Sequence, residues 1–309
     1  MRLGVLDVGS NTVHLLIVDA HAGARPAPHV SHRRVLRLMR YLSADGSITA
    51  EGVDALLESI GALAELARAE GVDAMLPFAT SALREASNGP ETLALIAERT
   101  GVELQVLAGD DEARLTFLAV RRWLGWSAGS ILLFDIGGGS LEIASGVDEY
   151  PDVSVSVPLG AGRSTVGFLH NDPPTSEQMQ KLRRHSRRVL AADATPLFSG
   201  QPAPQRVVGS SKTIRSLARL AGSTSVIPGI GERTVLRRSE LKDWIPRLAQ
   251  LNAEARQALP GITPDRTFQI VGGAVVLHSA MKLFDVEELE VSPWALREGI
   301  ILRYLDTLE

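Results

Sequence analysis

Cysteine is absent from the 309 residues. That removes disulfides, thiolate metal sites and a cysteine nucleophile at once. No apolar run reaches membrane-spanning length, and the opening MRLGVLDV reads as a strand rather than a leader. Aromatic residues make up only 5%, so a site built on stacked rings has little to draw on. Lysine is scarcer still, at four of the 32 basic residues; an arginine at a given place says little, and a lysine says more. A formal net charge of -4 argues against a general nucleic-acid surface. The expectation is a cytoplasmic protein that binds neither membrane nor nucleic acid.

What is present suits a globular chain with a sizeable core, 45% hydrophobic and 22% charged, and the length fits two domains. Strands are expected near 2–8, 12–19, 29–38, 72–78 and 103–107, with helices at 50–70, 80–87, 90–100 and 110–124. The second half restarts with strands near 130–136, 140–146 and 152–157, then helices at 161–169 and 175–194. A strand at 205–209, a helix at 211–221, a loop over 223–237, helices at 239–257 and 268–284 and a strand at 287–291 complete it. Thr49 is the expected N-cap of the 50–70 helix, and Thr175 with Gln178 forms a capping box. Such alternation indicates an α/β architecture. The domains are expected at 1–126 and 127–293, with a helix at about 294–309 returning to the first.

The informative feature is a repeat. LFDIGGGSLEIASG (133–146) is an apolar strand ending in Asp135, a glycine-rich turn and a second strand; LGVLDVGSNTVHLLIVD (3–19) is the same device around Asp7. Aligning Asp7 with Asp135 brings Gly9, Ser10 and Asn11 onto Gly137, Gly138 and Gly139, 128 residues on. Either turn alone reads as an ordinary hairpin; the matched pair favours phosphate. Glycines let successive N–H groups converge on an anion and let a ligand approach the backbone. A carboxylate beside that anion makes sense if a cation lies between them, and Mg²⁺ is the usual one with phosphates.

Three further polar turns follow strands. FATSALREASN (78–88) sets Thr80 and Ser81 as caps with Arg84 one turn on. GDDEARL (109–115) opens a helix with three acids; capping accounts for Asp110 and Asp111, and leaves Glu112 to serve as a base. VVGSSKTIRSLARLAG (207–222) puts Lys212 in a turn without Walker spacing, where it would act on phosphate as a point charge. Basic residues cluster at 33–40 and again at Lys181, Arg183, Arg184, Arg187 and Arg188, with His185; the default reading is a solvated face, and Arg184, Arg187 and Arg188 are the candidates for a weak polyanion surface. No Ser-His-Asp signature or metal-type histidine spacing occurs. The chemistry suggested is water attacking a Mg²⁺-bound phosphoryl group.

Read together and in order, DVGSNT (7–12), TSALREASN (80–88), GDDEARL (109–115), DIGGGSLEI (135–143), VGSSKTIRSLA (208–218), DRTFQIVGGAVVL (265–277) and ALREGII (295–301) resemble the exopolyphosphatase and guanosine pentaphosphate phosphohydrolase family over nearly the whole chain. The resemblance implies two related actin-like ATPase (ribonuclease H-like) domains flanking a central cleft. It implies Glu112 as general base and Asp135 and Glu142 as metal ligands for Mg²⁺, with Mn²⁺ as a substitute. Phosphate contacts map to Ser10, Asn11, Arg84, Gly137, Gly138, Gly139, Ser140, Ser211, Lys212, Thr213 and Arg266. Many members carry Gly where this chain has Lys212, and the length matches the short two-domain form. The expected activity is release of terminal orthophosphate from polyphosphate, short chains above all. Guanosine pentaphosphate hydrolysis, an actin-fold kinase and a non-enzymatic nucleotide sensor or scaffold are the rivals, and a homodimer is an open assembly.

Overall fold

The computed structural model describes residues 1–21, 28–221, 223–227 and 231–308. Contacts divide the chain into two compact units: Met1–Leu115 with Leu296–Glu309, and Thr116–Ala295. The expected change at 126–127 lies beyond this division, which falls within a single helix, Gly109–Leu124.

The first unit is built on a five-stranded sheet of order β3-β2-β1-β4-β5. Its strands are β1 (Arg2–Val8), β2 (Thr12–Asp19), β3 (Pro28–Val35), β4 (Ala74–Ala79) and β5 (Gln105–Val106). β1 and β2 are almost continuously apolar because both faces are covered; β3, at the edge, is largely exposed. Helix α1 (Ala50–Ala69) lays Leu56, Ile60, Leu63, Ala64 and Ala67 on the sheet at helical spacing. Its N-cap Thr49 accepts from the Gly52 N–H at 3.3 Å, as expected. Helices α2 (Ser81–Glu85), α3 (Gly89–Thr100) and α4 (Gly109–Leu124) follow, and α4 runs on past the division.

The second unit holds a seven-stranded sheet of order β10-β11-β12-β9-β6-β7-β8. These are β6 (Ile131–Ile136), β7 (Leu141–Gly146), β8 (Val153–Val157), β9 (Arg206–Ser210), β10 (Thr224–Ile227), β11 (Gly231–Arg237) and β12 (Glu288–Val291). The helices are α5 (Ala161–Phe168), α6 (Ser176–Val189), α7 (Ser211–Ala221), α8 (Arg238–Gln250) and α9 (Ile270–Leu283). α9 is apolar nearly all round and buried from Ile270 to Leu277, as a central helix must be. The Thr175–Gln178 capping box of α6 has both of its bonds. The last helix, α10 (Leu296–Asp306), belongs to the first unit and packs Ile301 and Leu305 with Leu3, Val5 and Phe78.

Three sequence expectations change. Residues 223–237 are not a loop but the antiparallel pair β10–β11, in register at Thr224↔Thr234 and Ser225↔Arg233. Pro228 and Gly229, which suggested a loop, lie outside the described residues; the flanking Thr224, Thr234 and Val235 are β-formers. The strand expected over 103–107 shortens to β5. The helix expected over 239–257 stops at Gln250, four residues after the internal Pro246, and a 3₁₀ turn follows at Ala255–Ala258.

The two units share one design. In each, an antiparallel meander (β1-β2-β3, β6-β7-β8) is extended on the β1 or β6 side by parallel strands, β4-β5 in one and β9-β12 in the other. This is the repeated α/β arrangement of an actin-like fold.

Candidate active site

The repeat seen in the sequence holds to the individual hydrogen bond. In the first hairpin Asp7 pairs with His14, and Gly9 N–H donates to the Thr12 carbonyl at 3.1 Å. In the second, 128 residues on, Asp135 pairs with Glu142, and Gly137 N–H donates to the Ser140 carbonyl at 3.0 Å. The two hairpins differ at the partner of the aspartate. In the first unit it is histidine; in the second it is a second carboxylate.

That difference gives the second unit a row of polar side chains across four strands. Ser156, Glu142, Asp135 and Ser210 are successive partners on β8, β7, β6 and β9. Same-row neighbours lie on one face of the sheet. Ser156 Oγ donates to Glu142 Oε1 at 2.9 Å, and Ser210 Oγ donates to Asp135 Oδ2 at 2.6 Å. Both carboxylates are at least nine-tenths buried. Neither serine was anticipated. The sequence signal was the alternation in VSVSV and the serine ending VVGS, which reads equally well as a strand end. Among the described residues no group of three or more His, Cys, Asp and Glu could hold a metal ion. Two hard carboxylates fit a cation that keeps waters and takes its remaining ligands from phosphate, as Mg²⁺ does. They do not fit a closed four-ligand zinc site. The two serine bonds restrict the orientation of the carboxylates.

Beside this row the glycine turn is inverted by its neighbours. The carbonyls of Gly137, Gly138 and Gly139 accept from the N–H groups of Ala161, Arg163 and Gly160 at 2.9, 2.9 and 3.1 Å, and Arg163 Nε also donates to Gly139 O at 2.8 Å. With the carbonyls turned onto the start of α5, the N–H groups of Gly138 and Gly139 are left without an acceptor among the described residues. That is the arrangement of an anion nest. Gly160 is required for it: a Cβ there would lie 2.4 Å from the Gly138 carbonyl oxygen.

The 211–213 turn follows β9. Ser211 has φ 83°, a left-handed conformation uncommon for a side-chain-bearing residue and frequent where strain serves a site. Lys212 is half-buried in the first turn of α7. Thr213 is fully buried, with its methyl group facing Gly273 of α9 and its hydroxyl without a hydrogen-bond partner among the described residues. Arg266 is buried in the turn before α9, with Nε 3.4 Å from Asp265 Oδ2.

In the first unit, Glu112 sits in the first turn of α4, 6% exposed. Arg84 Nη1 donates both to Glu112 Oε1 and, at 2.6 Å, to the Leu107 carbonyl. Thr80 occupies the N-cap position of α2 but makes no capping bond, and Ser81 Oγ lies 3.1 Å from Ser10 Oγ, tying the first turn to α2. Asn11 is buried, and its carbonyl accepts from the N–H groups of Leu36 and Arg37 at 2.9 Å each. An unanticipated ion pair closes this end: Arg297 Nη1 to Asp7 Oδ2, 2.9 Å. Arg184, Arg187 and Arg188 are exposed on α6, apart from these turns in sequence; Arg188 Nη2 lies 3.3 Å from His185 Nδ1. No helix among the described residues is long and apolar enough to cross a membrane.

A sequence profile described as the Ppx/GppA phosphatase family matches residues 16–308. The chain is 48% identical over 308 residues to Exopolyphosphatase 1 of Mycobacterium tuberculosis, covering 99% of this chain and 89% of that protein. It is 47% identical to Exopolyphosphatase 1 of Mycobacterium leprae, covering 99% and 90%. Among solved structures, an exopolyphosphatase from Cytophaga hutchinsonii superposes with a TM-score of 0.86 at 24% identity, over 100% of this chain and 99% of that one. The Ppx/GppA member from Aquifex aeolicus gives 0.77 at 23% identity, with the same coverage. The matched profile and the mycobacterial relatives show that the chain belongs to the Ppx/GppA phosphatase family.

Proposed function

We propose that this chain is an exopolyphosphatase acting in the cytoplasm, releasing terminal orthophosphate from inorganic polyphosphate. The observation that carries the reading is the 137–140 turn, with the carbonyls of Gly137, Gly138 and Gly139 held by residues 160, 161 and 163 and the Gly138 and Gly139 N–H groups left open beside the Asp135–Glu142 pair. The names of the mycobacterial relatives support the choice of substrate.

In this reading the oxygen of a water bonds to the terminal phosphorus, and the bridging P–O bond breaks. The electron pair stays on the shortened chain as its new terminal oxygen. Glu112 takes the proton of the attacking water. The N–H groups of Gly138 and Gly139, with Lys212 and the backbone of the 211–213 turn, bear on the phosphoryl oxygens where charge develops. Asp135 and Glu142 are the residues to hold Mg²⁺, and the ion would supply further neutralisation of that charge. Arg84 and Arg266 are assigned to substrate phosphates.

Phosphate release measured with polyphosphates of graded length, guanosine pentaphosphate and ATP tests the proposal. Polyphosphate is expected to give the highest kcat/KM. A higher value for guanosine pentaphosphate at every chain length tested would replace the main substrate, and turnover of ATP alone would replace the reaction class.

A further inference from the structure

Helices α6, α8 and α9 of the second unit gather basic side chains that the carboxylate row and the phosphate turns do not use. α9 is buried along most of its length and surfaces at His278 and Lys282, one turn apart. Helices α6 and α8 both pack on α9; Arg183 and Arg187 are likewise one turn apart on α6, Arg238 opens α8, and the charges of all three, with that of Lys282, act on the His278 imidazole. Arg238 leans over the end of α9, with Nη1 3.4 Å from the Met281 carbonyl and 3.6 Å from Asp285 Oδ1. The Asp285 side chain is 96% exposed. Among the described residues no carboxylate lies within ion-pair distance of Arg183, Arg187 or Lys282.

Two accounts compete. Cations near a helix C-terminus are favoured by the helix dipole, at about 0.3–1 kcal/mol each. That covers Lys282 and Arg187, both in last turns. It does not cover Arg183, a turn earlier, or the placing of a half-buried imidazole amid four cations. Burial first, and then the charges of Arg183, Arg187, Lys282 and Arg238, push His278 down to about 4. Among the described residues the one carboxylate within ion-pair distance of these like charges is the exposed Asp285. A multiply charged anion supplies what the protein's own side chains do not.

We propose that the α6–α8–α9 surface is a second binding site for inorganic polyphosphate, engaging a stretch of the chain remote from its reacting end. The proposal rests on the polyphosphate reading above. Gly273 of α9 packs against Thr213 of the 211–213 turn. His278 and Lys282 lie further along the same helix, about 8 and 14 Å on at 1.5 Å per residue. A long chain that engages both places gains by effective concentration; a short one that occupies one place at a time gains nothing. The cluster also re-sorts the arginines of α6. Arg183 and Arg187 belong to it, whereas Arg188 is turned to His185, whose ring lies 4.6 Å from that of Phe168.

Two double variants of exposed residues test this in the full chain: Arg183→Gln with Lys282→Gln, and Arg184→Gln with Arg188→Gln. Equilibrium binding and steady-state kinetics are measured with long-chain polyphosphate and with tripolyphosphate. The first variant is expected to weaken long-chain binding on the order of tenfold, and to raise KM for the long chain more than for tripolyphosphate. The second is expected to change long-chain binding severalfold less. In the wild type, long-chain polyphosphate is expected to raise the pKa of His278 followed by NMR, an effect lost in the first variant. Equal losses in both variants, or a His278 signal that long-chain polyphosphate does not move, would overturn the site. Single-stranded DNA that moves it as strongly at matched charge would overturn the assignment to polyphosphate. Binding and turnover fail separately. A chain that binds polyphosphate here without hydrolysing it supports the site and sinks the proposed activity; hydrolysis with an inert cluster does the reverse.

Discussion

Arg84 holds Glu112 and the Leu107 carbonyl with one guanidinium nitrogen, so the proposed base is delivered already engaged to a cation. A carboxylate bonded to guanidinium is a poor proton acceptor. The same guanidinium is suited to phosphate, with donors that match its oxygens. Substrate phosphate competing for Arg84 would free Glu112 when there is something to hydrolyse.

Glu112→Gln keeps an oxygen for Arg84 and removes the proton acceptor. kcat is expected to fall roughly 10²–10⁴-fold, the usual range for a lost general base, while polyphosphate binding persists. Single-turnover phosphate release alongside equilibrium binding separates the two effects. A kcat near that of the wild type would take Glu112 out of the mechanism.

Arg84→Met removes the cation and leaves Glu112 buried without it. Stripping one partner from a well-buried pair costs about 3–5 kcal/mol. The Arg84 side chain is 23% exposed, so about 1–3 kcal/mol is the expectation here, read as a drop in denaturation midpoint. KM is expected to rise as well. A variant that loses stability with KM unchanged would confine Arg84 to holding α2 and the start of α4 together.

Asp135 and Ser210 define the next test. Asp135→Asn is expected to shift the Mg²⁺ concentration for half-maximal activity upward by tenfold or more, since one of the two carboxylates proposed to hold the ion is lost. Ser210→Ala leaves both carboxylates and removes the 2.6 Å bond that orients one of them. Outer-shell changes of this kind typically cost 10–100-fold in metal affinity or activity. Full activity in the presence of a chelator would dispose of the metal assignment for both residues.

How much of this was legible follows from which interactions are local. The Asp-Gly turns, the α1 cap and the α6 capping box are set within a few residues, and sequence exposes them. The pairing of Asp135 with Glu142 was open to the same reading once the repeat was aligned, because a tight hairpin fixes register. Ser210 on Asp135 and Arg297 on Asp7 join residues 75 and 290 apart. No local pattern marks such partners. β10–β11 was missed for a different reason: Pro228, Gly229 and Gly231 dominated the reading of a segment whose strands are short.

The last prediction separates two glycines that look alike in sequence. Gly137 opens the Gly-Gly-Gly-Ser turn, yet a Cβ there would meet nothing closer than the Ser140 carbonyl at 3.5 Å, an ordinary contact. Gly160 stands outside the motif, where a Cβ would come within 2.4 Å of the Gly138 oxygen. Both have ordinary negative φ, so space alone decides. Gly137→Ala is expected to fold with a near-native midpoint and to retain activity within severalfold, because the turn keeps its shape and its N–H groups. Gly160→Ala must push the start of α5 away from the turn and break the bonds from residues 160, 161 and 163 to its carbonyls. Overpacking of this kind costs about 1–3 kcal/mol. It would also release the N–H groups from their convergent aim, so the loss in kcat/KM should exceed that of Gly137→Ala by at least an order of magnitude. Thermal midpoints and polyphosphate kinetics of the two variants decide the matter. Should Gly137→Ala prove the more damaging, the turn is not held from α5, and the account of its inverted carbonyls fails.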